Sequence, residues 1–295
     1  MELDLKSNIE LYVVKHSKRT LIASFPKVIE SCNVSFNNDY LVYTHNWGLY
    51  KYNLLSQYER PIETEKYNLS FINNDHLIDK HGNIYLSAGK NEEISSHIYK
   101  LDIRKDKLTR LTNQPLSYLH GLSNKYILYT GQRNRKFDIF IKEKNHKEIN
   151  LTKGLGFNDA PEFFDNDKKI IFNSDRNGTS QIYTMNIDGS NIQQLTFDNE
   201  YNCWFPHVSP NNKYVCYISY DSLNTPSNLH PSNKQISIHL MNIDGSESRV
   251  IANIYGGAGT MNVNSWTSDS KYFVFISYEK LLKDFANNPI NCRLF

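Results

Sequence analysis

Short runs of alternating apolar and polar residues recur along the chain, and each run follows a turn that contains Asn or Asp. The clearest copies are EFFDNDKKIIFNSDR from Glu162, HVSPNNKYVCYISYD from His207 and SWTSDSKYFVFISYE from Ser265. An alternation with a period of two is typical of half-buried β-strands. The pattern therefore predicts a series of short β-strands joined by tight turns.

Weaker copies of the same opening begin at Asn33, Leu69 and His120, and the copy at Leu69 is aligned with its turn at residues 73–75. Each opening is followed by a second pair of short strands around another turn, as in SQIYTMNIDGSNIQQLT, where Asp-Gly supplies a hairpin signal. One repeat is thus a four-stranded antiparallel unit of about 40 to 55 residues, which is the size of a propeller blade.

The two ends of the chain predict how the repeats close into a ring. Residues 10–25 have the pattern of a third and fourth strand, whereas residues 263–278 have the pattern of a first pair alone. Joined in one blade, the two ends would leave no open sheet edge. We therefore predict an all-β single domain, a six-bladed β-propeller of four-stranded antiparallel blades whose last blade is closed by the N-terminal strands. Within residues 1–295, the approximate blades are 28–65, 66–114, 115–153, 154–197, 198–253, and 254–280 completed by 9–27, and residues 281–295 form a C-terminal tail.

The composition agrees with this architecture and narrows the class of partner. Aromatic residues make up 13% of the chain, with 20 Tyr and 15 Phe, which suits half-buried pleated surfaces. The 33 basic and 31 acidic residues give a formal net charge of +2 without a long block of one sign, so we expect no nucleic-acid partner. No run approaches the roughly 20 apolar residues that span a bilayer, so we expect no membrane insertion.

The sequence further predicts a cytoplasmic protein. Its first residues, MELDLKSNIELYVVKHSK, lack a basic segment followed by an apolar core, which is the pattern of an export signal. The four cysteines, Cys32, Cys203, Cys216 and Cys292, are scattered without a CxxC pair. We expect buried thiols in a reducing compartment.

Propeller geometry brings equivalent residues of different repeats together at the central channel. Alignment of the turns places Glu162, His207 and Ser265 at one equivalent position, with His120 one residue away. Two imidazoles and a carboxylate suit a divalent transition metal, so His120, Glu162 and His207 are predicted metal ligands, and Glu162 is the candidate catalytic acid or base. The alternative is that these side chains hydrogen-bond the neighbouring blade.

Further polar and aromatic residues are expected at the same channel mouth. Asp159, Arg176 and Trp204 are candidates for ligand binding. Their alternative roles are structural: Asp159 would cap a turn, Arg176 would be a cation that links blades, and Trp204 would pack between blades. His230, in the irregular segment at residues 221–233, is a candidate lid ligand, with a solvated loop as its alternative. The complete predicted ligand-binding set is His120, Asp159, Glu162, Arg176, Trp204, His207 and Asn262.

The segments SPNNKYVCYIS and IYTMNIDGSNIQQLT resemble the TolB-like propeller repeat, and the resemblance covers nearly the whole chain, most clearly residues 154–278. The segments NDAPE at 158–162 and NCWFPHVSP at 202–210 further resemble a subfamily of small, stand-alone bacterial TolB-related proteins. The resemblance implies a six-bladed propeller, and we expect a cytoplasmic protein that binds a small molecule, a carbohydrate, a peptide or a protein partner at the mouth of its central channel, without catalysis.

The fold also resembles the propellers of two classes of enzyme. Prolyl-oligopeptidase-type peptidases need a Gly-x-Ser-x-Gly elbow on an attached hydrolase domain, and the sequence contains no such motif. Oligogalacturonate lyases use a metal held largely by histidines. The alternative function is therefore a metal-dependent lyase or hydrolase that acts on a carbohydrate, with a His and Glu site on the channel rim.

Overall fold

The protein is a ring of six antiparallel β-sheets, the blades of a propeller. The structure is a computed structural model that describes residues 5–91, 93, 95–143 and 146–281. The first described residues form β1 (Leu5–Val13) and β2 (Lys18–Phe25), separated by a 3-10 turn at Val14–His16. These two strands belong to the last blade, which β24 (Tyr272–Lys280) completes.

Blades 1 to 5 follow one another along the chain. Blade 1 contains β3 (Glu30–Val34), β4 (Tyr40–His45), β5 (Gly48–Asn53) and β6 (Glu59–Pro61). After a 3-10 turn at Glu65–Tyr67, blade 2 contains β7 (Leu69–Ser70), β8 (His76–Ile78), β9 (Ile84–Lys90), β10 (His97–Asp102) and β11 (Lys107–Arg110).

Blade 3 contains β12 (Ser117–Leu122), β13 (Tyr126–Arg133), β14 (Lys136–Glu143) and β15 (Ile149–Asn150). Blade 4 contains β16 (Asn158–Phe164), β17 (Lys169–Asn177), β18 (Thr179–Asn186) and β19 (Gln193–Gln194). Blade 5 contains β20 (Tyr201–Val208), β21 (Tyr214–Asp221), β22 (Ser232–Asn242) and β23 (Arg249–Gly257).

The ring closes as the sequence predicts. Strand β1 lies between β2 and β24, and it pairs with β24 from Leu5 opposite Lys280 to Val13 opposite Tyr272. The innermost position of this blade is marked by the bridge between Trp266 and Phe273. The prediction of an all-β, six-bladed propeller closed by its N-terminal strands is therefore confirmed.

Blade 2 departs from the predicted alignment. Residues 73–75, expected to be its turn, precede the inner strand β8, and the turn that follows lies at residues 79–83. There the Asp79 carboxylate accepts hydrogen bonds from the backbone amides of His81 and Asn83, and Gly82 has a φ of 80°. The Asn-Asn-Asp segment also bends, since the backbone amide of Asp75 donates to Oδ1 of Asn73, but this bend precedes the inner strand instead of following it. The alignment of this copy was wrong for that reason.

Apolar side chains pack between the blades, and polar side chains gather at the channel. For example, Val42, Leu86 and Leu101 pack in one buried cluster between blades 1 and 2. In contrast, Asp159 and His207 are buried near the ring centre. The blades thus form a rigid scaffold that holds buried polar groups around the axis. Among the described residues, no helix has the length and apolar character needed to cross a bilayer.

Candidate functional site

Two cavities open at opposite ends of the central channel. The upper cavity, of about 820 Å³, is lined by the beginnings of inner strands and the loops that lead into them, including Asp75, Tyr118, His120, Asp159, His230 and Asn262. The lower cavity, of about 670 Å³, is lined by the ends of inner strands and the turns that follow, including Asn33, His120, Glu162, Asp165, Asn264 and Trp266. His120 borders both cavities, so its ring lies at the level that separates them.

Bulges in the inner strands decide which cavity each side chain faces. In blade 4 the register shifts between Asp159 and Glu162, and in blade 5 it shifts between Trp204 and His207. Ala160, inside the first bulge, has a φ of 51°. A bulge inserts an extra residue and re-aims the side chains that follow it. Asp159 therefore faces the upper cavity, whereas Glu162 of the same strand faces the lower one.

His120 lies between two buried carboxylates on the floor of the upper cavity. Its Nε2 atom is 3.4 Å from Oδ1 of Asp159 and 3.8 Å from Oδ1 of Asp75. The hydroxyl of Thr130 donates to Oδ1 of Asp159 at 2.6 Å, and Nδ2 of Asn262 donates to Oδ1 of Asp75 at 2.5 Å. The floor is thus an Asp-His-Asp cluster whose carboxylates also accept hydrogen bonds from Thr130 and Asn262.

A second imidazole reaches the floor from the long loop between β21 and β22. Nε2 of His230 is 3.6 Å from Oδ2 of Asp159. Its ring packs against Trp204 and Phe205, with ring centroids 4.8 and 5.1 Å apart. The loop is fastened close to this point because the hydroxyl of Tyr220 donates to the carbonyl oxygen of Pro231. His230 therefore covers one side of the Asp159 carboxylate.

Burial and charge together set the ionisation of the cluster. Burial opposes ionisation of Asp159, but the contact with His120 outweighs it and lowers the pKa of Asp159 to about 2. Burial also disfavours the charged form of His120, yet Asp159 and Asp75 raise the pKa of its ring above the ordinary value. The pKa of Asp75 is raised, because burial exceeds the lowering effect of His120. One imidazolium therefore compensates Asp159 and leaves Asp75 only partly compensated.

Glu162 and His207 form a separate buried pair. Nδ1 of His207 is 2.9 Å from Oε2 of Glu162, and Nε2 of His207 is 2.9 Å from the carbonyl oxygen of Met261. Oε1 of Glu162 accepts from the backbone amide of Val208 at 2.9 Å and from Nδ2 of Asn264 at 2.6 Å. Both side chains use their polar atoms to connect blades 4, 5 and 6. This arrangement matches the alternative of inter-blade hydrogen bonding.

The predicted three-ligand metal site is not formed by His120, Glu162 and His207. The equivalence of Glu162 and His207 is correct, because each follows its bulge at the same place in its strand. His120 lies one residue earlier, inside the bulge of its own strand, and joins Asp75 and Asp159 instead. In the ranges that the structure describes, no group of three or more His, Cys, Asp or Glu side chains is placed to hold a metal ion.

The other predicted residues divide between the cavity and the scaffold. Asp159 and Asn262 line the upper cavity. Trp204 is 0% exposed, and its ring packs against Phe157 and Phe205. Arg176 donates to Oδ1 of Asn158 at 3.0 Å and lies over the ring of Tyr183, which makes it a cation that links strands within blade 4.

The sequence interpretation did not place Asp75, Tyr118 or Thr130 at the upper cavity, although all three line it. Asp75 had been assigned to the turn of blade 2, and the Asp79 to Asn83 turn signal would have moved it to the start of an inner strand. Thr130 lies on a second strand, and Tyr118 lies two residues before His120. Their alternating apolar and polar surroundings carry no signal that distinguishes them from ordinary strand residues.

Comparisons with known proteins agree with this architecture. Residues 123–253 match the family model described as the TolB beta propeller domain. An uncharacterized protein of Agrobacterium fabrum, Atu1656, is 32% identical over 277 residues, which cover 93% of each chain. A solved structure from Agrobacterium tumefaciens with a provisional TolB assignment is 31% identical, with a TM-score of 0.88, and the match covers 94% of this chain and 99% of that one.

A solved lyase is a more distant structural neighbour. The oligogalacturonate lyase from Vibrio parahaemolyticus is 13% identical, with a TM-score of 0.52, and the match covers 92% of this chain and 78% of that one. This likeness shows a shared propeller fold.

Proposed function

The chain belongs to the TolB-like β-propeller family, and from that premise we propose that it is a binding protein whose upper cavity holds a small ligand. The observation that carries the proposal is the convergence of Asp75, His120, Asp159 and His230 on the floor of one cavity. Asp75 directly precedes the inner strand of blade 2, His120 and Asp159 lie on the inner strands of blades 3 and 4, and His230 lies on a long loop of blade 5, so only the closed ring brings them together. Buried titratable groups that converge in a cleft are typical of functional sites.

The size and walls of the upper cavity also support ligand binding. Its volume of about 820 Å³ lies within the range of roughly 300 to 1,000 Å³ that small-molecule sites occupy. Tyr118, Phe137, Phe157 and Leu229 supply aromatic and aliphatic walls. Walls of this kind bury the body of a ligand, and a few polar groups at the floor fix its orientation.

Binding is favoured over metal-assisted carbohydrate cleavage. The lyase alternative needs Glu162 and His207 as metal ligands or as a base. These two side chains are bonded to each other and to groups of blades 5 and 6. Releasing them for a metal would break the contacts that join the blades.

We place this binding function in the cytoplasm. Cys32, Cys203 and Cys216 are buried free thiols, whereas Cys292 lies outside the described residues. Burial raises the pKa of the Cys203 thiol to about 12, so the reactive thiolate is disfavoured. Unreactive buried thiols suit a reducing compartment.

The proposal is tested by a fragment screen that detects binding by ligand-observed NMR. We expect hits that bind the unmodified protein and are lost in Asp159→Asn. The matched control is Asp165→Asn, which changes an equivalent carboxylate at the lower cavity, where the left-handed backbone (φ 53°) suits Asn. Hits that survive Asp159→Asn and disappear in Asp165→Asn, or a screen without hits, would refute the proposal.

A further inference from the structure

The floor of the upper cavity contains more acidic than basic groups. Asp75 and Asp159 are each 6% exposed. Among the described residues, the ion-pair partners of these carboxylates are imidazoles, His120 for both and His230 for Asp159. Buried carboxylates are normally balanced by a cation or by a full set of hydrogen bonds. A single imidazolium between two carboxylates leaves one negative charge without an equal partner.

The polar atoms at the floor are suited to a ligand that only donates hydrogen bonds. Carboxylate oxygens accept hydrogen bonds, and Asp75 and Asp159 both line the cavity. Nε2 of His120 lies near both carboxylates, so the protonated ring supplies one positive charge to the floor. An ammonium group carries three donors and no acceptor. It matches the carboxylate oxygens and supplies a second positive charge.

The walls favour the same class of ligand. The rings of Phe137 and Phe157 are in contact, with centroids 4.8 Å apart, and both line the upper cavity beside Tyr118. Aromatic faces attract cations and bury an apolar body at the same time. The basic residues of the cavity, Arg135 and Lys136, are exposed. Positive charge therefore lies at the mouth and negative charge at the floor.

We propose that the upper cavity binds a small organic amine, with its ammonium group on the floor beside the carboxylates of Asp75 and Asp159 and its apolar body against the aromatic walls. This inference rests on the proposed binding function and specifies the chemical class of its ligand. An anionic ligand would have to place its charge beside two carboxylates, which repels it. A neutral ligand would leave the negative charge of the floor unbalanced.

Three probes of nearly equal shape test the charge requirement: benzylamine, benzyl alcohol and benzoate. Titrations followed by NMR and by thermal shift should show that benzylamine binds at least about tenfold more tightly than benzyl alcohol, and that benzoate is weakest. A difference of about tenfold corresponds to one charge-assisted hydrogen bond. This selectivity is measured on the unmodified protein and does not depend on any variant folding.

The variant Asp75→Asn tests whether the Asp75 carboxylate binds the ammonium group. The amide oxygen of the new side chain can still accept from Asn262, so we expect a folded protein that loses at least about tenfold in affinity for benzylamine and little for benzyl alcohol. Asp165→Asn at the lower cavity is the matched control and should keep wild-type affinity.

The outcomes separate the two proposals. Equal or tighter binding of benzyl alcohol or benzoate would overturn the amine inference and leave the binding function standing. Failure of all three probes would overturn the amine inference, and the fragment screen then decides the binding function by itself. Benzylamine binding that is unchanged in Asp75→Asn and lost in Asp165→Asn would place the amine site at the lower cavity and refute both.

Discussion

Asp159 and Glu162 lie three residues apart in one inner strand, yet Asp159 lines the upper cavity and Glu162 lines the lower one. The bulge at Ala160 and Pro161 separates them. Asp159 contacts two imidazoles at the cavity floor, whereas Glu162 joins blades 4, 5 and 6. One strand therefore carries a candidate ligand-binding carboxylate and a structural carboxylate side by side.

Removal of the structural carboxylate should destabilise the protein. Glu162→Ala leaves His207, the Val208 amide and Asn264 without their acceptor. Breaking a buried pair of this kind costs about 3 to 5 kcal/mol in the free energy of unfolding. Urea denaturation followed by circular dichroism measures this loss, with Asp165→Asn as the control of unchanged stability. A Glu162→Ala protein of wild-type stability would contradict the structural role.

The Asp159–His120 pair should make stability depend on pH. The pKa of Asp159 is lowered to about 2, so its contribution is present above the ordinary carboxyl value of 3.8 and is lost as the pH falls toward 2. The pKa of His120 is raised, so its contribution is present below 6.5 and is lost as the pH rises through the folded value.

Asp159→Asn should therefore cost most between about pH 4 and 6.5, roughly 2 kcal/mol, with a difference from wild type that shrinks toward pH 2. Because the pKa of Asp75 is raised, its contribution to stability changes with pH in the opposite direction to that of Asp159. Asp75 is present in both the wild type and Asp159→Asn. Urea denaturation at a series of pH values gives the two curves. Parallel curves over the whole range would show that the pair does not titrate with folding.

Amine binding should strengthen as the pH rises. The ammonium group supplies the positive charge that one imidazolium leaves lacking, so it needs Asp75 in its ionised form, and burial raises the pKa of Asp75. The groups that face the His120 ring or its partners are Asp75, Asp159, His230 and Tyr118. Protonation of Asp75 at low pH therefore weakens binding.

Calorimetric titration of benzylamine in buffers of different ionisation enthalpy should show release of up to about one proton per ligand below the raised pKa of Asp75. The affinity should level off above that pKa. Asp75→Asn keeps an acceptor without a titrating carboxyl, and we expect it to remove this pH dependence. Proton uptake on binding would contradict the requirement for an ionised Asp75.

Closure of the ring should be a large part of the stability. Ile9, at the middle of β1, is fully buried against the cluster that includes Val274 and Ile276 of β24. Ile9→Ala should lower the free energy of unfolding by about 2 to 5 kcal/mol. Leu21→Ala, in the outer strand β2, is the control, because Leu21 is 57% exposed and its loss should stay within about 0.5 kcal/mol. Equal effects of the two changes would show that β1 is not part of the closed core.

The sequence by itself determined the repeat, the six blades and the closure by the N-terminal strands, because alternation and turn residues are local properties of the chain. It also identified Glu162 and His207 as equivalent, since both follow the same pattern of residues. The turn of blade 2 was misplaced because two candidate turns stand close together, and Asp75 was lost with it.

Only the tertiary structure decided which polar side chains meet. Side chains alternate across a strand, so one extra residue in a bulge sends the following side chain to the other side, and the spacing of residues does not reveal the bulge. His120 lies one residue from the position of Glu162 and for that reason pairs with Asp75 and Asp159 instead. His230 reaches the same floor from a loop. The Tyr220 hydroxyl binds this loop at Pro231, and the His230 ring packs against Trp204. Long-range contacts of this kind arise from ring closure and loop packing, which no local pattern encodes.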